Sequence, residues 1–150
     1  MSLQTDIVFV KALRSDADLM QMLPAGDVYN TAIALPEEEA DNALLPYVIV
    51  TYDGMQNDDS TKDNAYRGLT DRVRIGVEIA AKTRPQLAEI ATKVRDTIDE
   101  YFMQHYGDDT DPEHKLIPYS MTFSAQPVQY DSLKPCYWQQ LNWQCETNPD

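Results

Sequence analysis

Cysteine, glycine and histidine are all scarce in this chain, at two, five and two of 150 residues. The glycines are scattered, so there is neither a phosphate-cradling loop nor a dinucleotide fingerprint. No serine sits in a G-x-S-x-G turn and no cysteine in a C-x-x-C pair, which removes the commonest signatures of nucleophilic and thiol redox chemistry. Cys136 and Cys145 are nine residues apart, an odd spacing that places them on opposite faces of one strand. They cannot bridge unless the chain turns between them, so two reduced thiols are expected. Apolar runs are short as well. None approaches the roughly 20 residues that cross a bilayer, and the opening MSLQTDIVFVKALRSDAD has neither the basic start nor the unbroken apolar stretch of a signal peptide. Positive charge is the last shortage: 12 Lys and Arg stand against 25 Asp and Glu, for a net charge of −13. Such a surface does not hold phosphates or dock on an anionic membrane. It does suit a task in which nucleic acid must pass without sticking.

What is present is periodic. Apolar residues make up 43% of the chain, enough for one core, and 150 residues fit a single domain spanning 1–150 with a frayed tail at about 146–150. Leu3, Ile7, Val10 and Leu13 predict a helix over 2–13, capped by Ser2 or Thr5. A short helix restarts at Ser15-Asp16 with Leu19, Met20 and Leu23, and Pro24-Ala-Gly26 ends it. Asp27–Asn30 reads as a short strand, and residues 31–45, with Pro36 and the run Glu37-Glu38-Glu39, as a surface connection. Tyr47–Tyr52 is dense in β-branched and aromatic residues and reads as a strand; Asp53–Asn64 reads as a polar loop. From Arg67 to Ala81 the alternation is clean. Val73, Ile75, Val77 and Ile79 share one face, and Arg72, Arg74, Gly76 and Glu78 the other, as in a half-buried antiparallel strand paired with 47–52.

Thr83, Pro85 and Gln86 have the spacing of a capping box. Leu87, Ile90, Ala91, Val94, Ile98, Tyr101 and Phe102 then predict a long helix over about 85–104, with Glu89 and Lys93 paired one turn apart on its outside. After the acidic loop 107–113, Ile117, Tyr119, Met121 and Phe123 predict a strand. A last strand, 136–146, carries Tyr137, Leu141, Trp143 and Cys145 on one face and Trp138, Gln140, Asn142 and Gln144 on the other. The expected fold is α+β: a mostly antiparallel sheet with a long hairpin, one long helix packed on one face, and N-terminal helices.

Candidate chemistry is thin. His105 ends the long helix, where a cation suits the helix dipole, and His114 lies in the acidic loop. Asp109, Asp111 and Glu113 have the alternate spacing that opens an EF-hand, but His114 stands where that loop needs glycine and Ser120 where it needs glutamate. Asp58, Asp59 and Asp63 form a cluster with no such register. Every acid falls in a loop or on an outer helix face, not in an apolar pocket that would tune it for acid–base work. No catalytic residue, metal or cofactor is therefore expected. The sheet's polar face is more informative. Trp138 and Gln140 lie there together with Arg72 and Arg74, and aromatic and arginine side chains are enriched at interface centres. A slip in strand parity would exchange Trp138 for Trp143.

The order of these elements resembles the tail completion, or tail terminator, proteins of long-tailed bacteriophages and prophages. The resemblance is carried by the helix pair ending in LRSDADLMQML, the Asp27-Val-Tyr29 strand and the acidic connection into LPYVIV. Beyond these lies the strand and helix of DRVRIGVEIAAKTRPQLAEIATKVRDTID, residues 71–99. It implies a non-enzymatic virion protein assembled in the host bacterial cytoplasm. Such a protein forms a ring, sixfold in relatives, that caps the tail tube and ends its polymerisation. Its partners are further copies of itself, the tube protein and a head–tail connector, while DNA passes through the lumen without specific binding. A ring needs two different surfaces per subunit. The polar sheet face and the 53–64 loop, with Asp58, Asp59 and Lys62, are the candidates for one of them. The alternatives are another neck, tube or baseplate component, or an unrelated cytoplasmic α+β ligand-binding module.

Overall fold

A computed structural model describes residues 2–31, 45–57, 70–106 and 118–147. Its centre is the alternation read above: Val73, Ile75, Val77 and Ile79 are all fully buried on β3 (Asp71–Ala81). On one side β3 pairs antiparallel with β2 (Tyr47–Asn57), and on the other with β6 (Cys136–Thr147). β4 (Ser120–Ala125) and the three-residue β5 (Gln129–Asp131) both pair with the far side of β6. β1 (Tyr29–Asn30) lies parallel to β2 at the opposite edge, giving the order β1-β2-β3-β6-β4. The sheet is mixed but mostly antiparallel.

One face of this sheet is roofed by α3 (Arg84–His105) and α1 (Thr5–Arg14), with α2 (Ala17–Met22) beside them. Thr83 starts α3 as its spacing predicts: its hydroxyl accepts from the Gln86 N–H at 3.3 Å, satisfying one of the helix's unpaired donors. Leu87, Ile90, Val94, Ile98, Tyr101 and Phe102 form one stripe laid on the sheet. The Phe9 ring meets those of Phe102 and Trp143 edge-on, at 5.2 and 5.5 Å between centroids. Trp143 is thus the core tryptophan and parity holds along β6.

Four expectations need correction. α1 buries Val10 and Leu13 as expected, together with Thr5, Val8, Phe9 and Ala12, but Leu3 and Ile7 are 66% and 56% exposed. Four apolar residues in succession, 7–10, leave its inner face undecided by periodicity, and the aromatic contacts of Phe9 decide it. β2 does not stop at Tyr52. Asp53 is left unopposed between the pairs Tyr52–Ile75 and Gly54–Arg74, after which the ladder resumes to Asn57; this β-bulge carries the strand through what reads as loop. Gly54, at φ +118°, supplies the backbone geometry that other residues rarely adopt. Lys93 does not pair with Glu89. Its ammonium reaches Asp16 at 3.3 Å and Asp18 at 3.9 Å, tying α2 to α3. β5, finally, is a strand too short for alternation to reveal.

Candidate assembly interface

The sheet face turned away from the helices divides along its length. At one end Tyr47, Ala80 and Trp138 lie abreast on three adjacent strands. Ala80 is fully buried between them, Ile49 and Cys136 are nearly so, and Trp138 is half-buried. The Tyr47 hydroxyl donates to Glu78 at 3.4 Å, and burial together with that carboxylate raises its pKa strongly.

The middle of the face is polar. Thr51, Gly76 and Asn142 lie abreast, and the Thr51 hydroxyl donates to Asp53 at 2.8 Å. Gln140 donates to Asp53 and to Asn142, at 3.4 and 3.3 Å. These groups close over Gly76 so tightly that a side-chain carbon there would collide with Asp53, Gln140 and Thr51. Beside them a depression of about 350 Å3 is lined by Asp53, Arg74, Thr122, Ser124, Asn142 and Gln144.

The residues singled out from sequence do not form one patch. Arg72, Arg74, Trp138 and Gln140 share the outer face as expected, on neighbouring strands. The antiparallel register, however, sets Trp138 opposite Ala80, Gln140 opposite Glu78, Arg74 opposite Gln144 and Arg72 opposite Glu146. At ~3.3 Å per residue, Trp138 is some 20 Å or more from either arginine. Arg72 is paired with Glu146 at 3.6 Å; Arg74 makes no ion pair among the described residues and lies against Gly54 at the bulge. Asp58, Asp59 and Lys62 lie outside the described residues, as do Asp63, Asp109, Asp111, Glu113 and His114. His105 ends α3, its ring 4.4 Å from that of Tyr101.

Sequence reasoning missed two further surfaces. Between the end of α3 and β4 lies a mainly apolar groove of about 540 Å3, lined by Phe102, Met103, Tyr106, Pro118, Tyr119 and Met121 together with Asp99 and Ser120. Met103, 78% exposed, and Tyr106 fall just off the buried stripe of α3, which is the signal that would have found them. The sheet also has open edges. β1 covers β2 only at Ile49 and Val50, and β4 has no strand on its outer side among the described residues.

Other polar clusters are accounted for structurally. Asp16 caps α2, accepting from the Asp18 and Leu19 N–H groups, and takes the Thr97 hydroxyl at 2.6 Å. Burial alone would raise its pKa, but these hydrogen bonds and Lys93 bring it below 3.8. Both cysteines are buried and unbridged. Burial pushes the Cys145 thiol up to about 12; burial, then Asp131 and Glu78, raise that of Cys136.

Among the described residues no three His, Cys, Asp or Glu side chains converge as a metal site, and no helix is long and apolar enough to cross a membrane. The class these features define is an α+β sheet-and-helix domain with broad unpaired surfaces. No protein-family model matches the chain and no curated protein sequence does. Its fold matches a chain in a solved structure described as the virion of a native gene transfer agent particle. The TM-score is 0.59 over 94% of this chain and 92% of that one, at 14% identity. At that identity the likeness is one of fold.

Proposed function

We propose that this chain is a non-enzymatic structural subunit of a phage-like particle. Within the particle it is the tail terminator: a ring, hexameric as in the family it resembles, that caps the tail tube, ends tube polymerisation and meets the head connector. The observation that carries this reading is the fold shared over nearly the whole of both chains with a virion protein. The order of elements in the sequence supports it independently, and so does the net charge of −13, which suits a channel that DNA crosses without adhering.

Closed rings are built from head-to-tail contacts between two unlike surfaces, and the outer sheet face and the α3–β4 side are unlike in both shape and polarity. The test is the mass of the purified protein over a concentration series, alone and with tubes of the particle's tube protein. A closed ring in either series is expected. A monomer at every concentration that ignores tubes overturns the proposal.

A further inference from the structure

Among the described residues the sheet has two open edges, and they fit one another. In an antiparallel pair, backbone groups point alternately toward and away from the neighbouring strand. The Gln126 N–H donates to Gln140 O at 2.8 Å, so the alternate residues Met121, Phe123 and Ala125 present their N–H and C=O groups away from β6. On the opposite edge, Val50 O accepts from the Thr31 N–H at 2.7 Å, which shows Val50 facing away from β3. By the same alternation Tyr52 does too, and beyond the bulge, Met55.

Edges left open in natural sheets are usually blunted by lysine, proline, charge or a bulge. The β4 sequence Ser-Met-Thr-Phe-Ser-Ala has no lysine, proline or charge. The bulge at Asp53 lies in β2, and its effect is to re-aim a side chain. Without it Met55 would share the outer face with Thr51; with it Met55 stands opposite Val73, on the helix side of the sheet. There it is 37% exposed and unsupported at an edge. At the other edge, on the same helix side, lies the mainly apolar groove beside β4.

We propose that in the assembled ring the β4 edge of one copy takes the β2 edge of the next as an antiparallel strand, with Met55 entering the groove between α3 and β4. The inference rests on the ring reading above. The occupant is a second copy because one sheet carries both halves of the contact. β2 and β4 run in opposite directions within the sheet. Rotation about an axis along the strands preserves those directions, so the junction is antiparallel, like nearly all the pairing within the chain. The contact is heterologous and repeats from copy to copy. Main-chain hydrogen bonds supply its affinity, and the Met55 pocket sets its register.

Ala125→Pro removes an outward N–H without touching the ladder to β6, a substitution that edge strands accept. Met55→Asp places a charge in the groove. Each is expected to raise the concentration for ring closure by about tenfold or more, as loss of a central contact does. A second measurement is hydrogen exchange of the wild-type protein, in which peptides covering 120–125 slow on assembly. Rings of both variants forming at wild-type concentrations, or exchange at β4 unchanged by assembly, overturn the inference and leave the ring reading intact. A wild-type chain that never closes, alone or on tubes, overturns both.

Discussion

Gly76 concentrates the chemistry of the outer face at one residue. Three polar side chains from two neighbouring strands close over it, and any Cβ would collide with them. Gly76→Ala is expected to destabilise the fold by about 1–3 kcal/mol, the range for overpacking a filled site, read as a shift in the denaturation midpoint at unchanged slope. The polar character of this face is legible in the sequence, since Arg72, Arg74, Gly76 and Glu78 alternate with valine and isoleucine. The separation of Trp138 from the two arginines is not. Parity tells which face a residue takes, whereas distance along the face depends on register, and register is set by partners far away in sequence.

Helices α2 and α3 meet through a carboxylate. Asp16 closes the end of α2, takes the Thr97 hydroxyl from α3 and faces Lys93. Its pKa is below the ordinary 3.8 in the folded protein, so the charged form is favoured by folding. That contribution is complete above the unfolded value and lost as the pH falls through the folded one. Between pH 5 and about pH 2 the melting temperature of Asp16→Asn is therefore expected to fall less steeply than that of the wild type. Equal acid slopes would show that the carboxylate holds nothing. Elements with strong local signals were legible: α3 from its cap and stripe, and β3 from its alternation. The second half of β2 was not, because Asp-Gly-Met-Gln-Asn reads as loop until a partner strand shows that one residue is bulged out. The inner face of α1 was not, because Ile7, Val8, Phe9 and Val10 satisfy more than one stripe.

The described residues present different chemistry on different sides: a half-apolar, half-polar sheet face, a mainly apolar groove and two open edges. Arg72 and Arg74 belong to the first of these. The Arg72–Glu146 pair is partly exposed, and such pairs contribute little to stability, about 0–1 kcal/mol. Replacing both arginines by glutamate is thus expected to leave the monomer's melting temperature nearly unchanged; if the outer face takes part in the proposed ring, the same change weakens assembly in a sedimentation series. Assembly that proceeds unaltered would make these arginines merely solvated. Fold class was legible at this scale because helix and strand periods differ plainly. The groove and the edges were not, since both exist only after distant segments have packed.

β6 lies inside the sheet, between β3 and β4, yet it is the last of the described strands to leave the ribosome. Until it emerges, β3 lacks one neighbour, β4 and β5 have no ladder to join, and Trp143 is missing from the aromatic cluster. Partial chains therefore hold no finished sheet, and the β4 edge comes into being only when the domain is whole. Synthesis order thus withholds a finished β4 edge from every polypeptide whose β6 has not yet emerged.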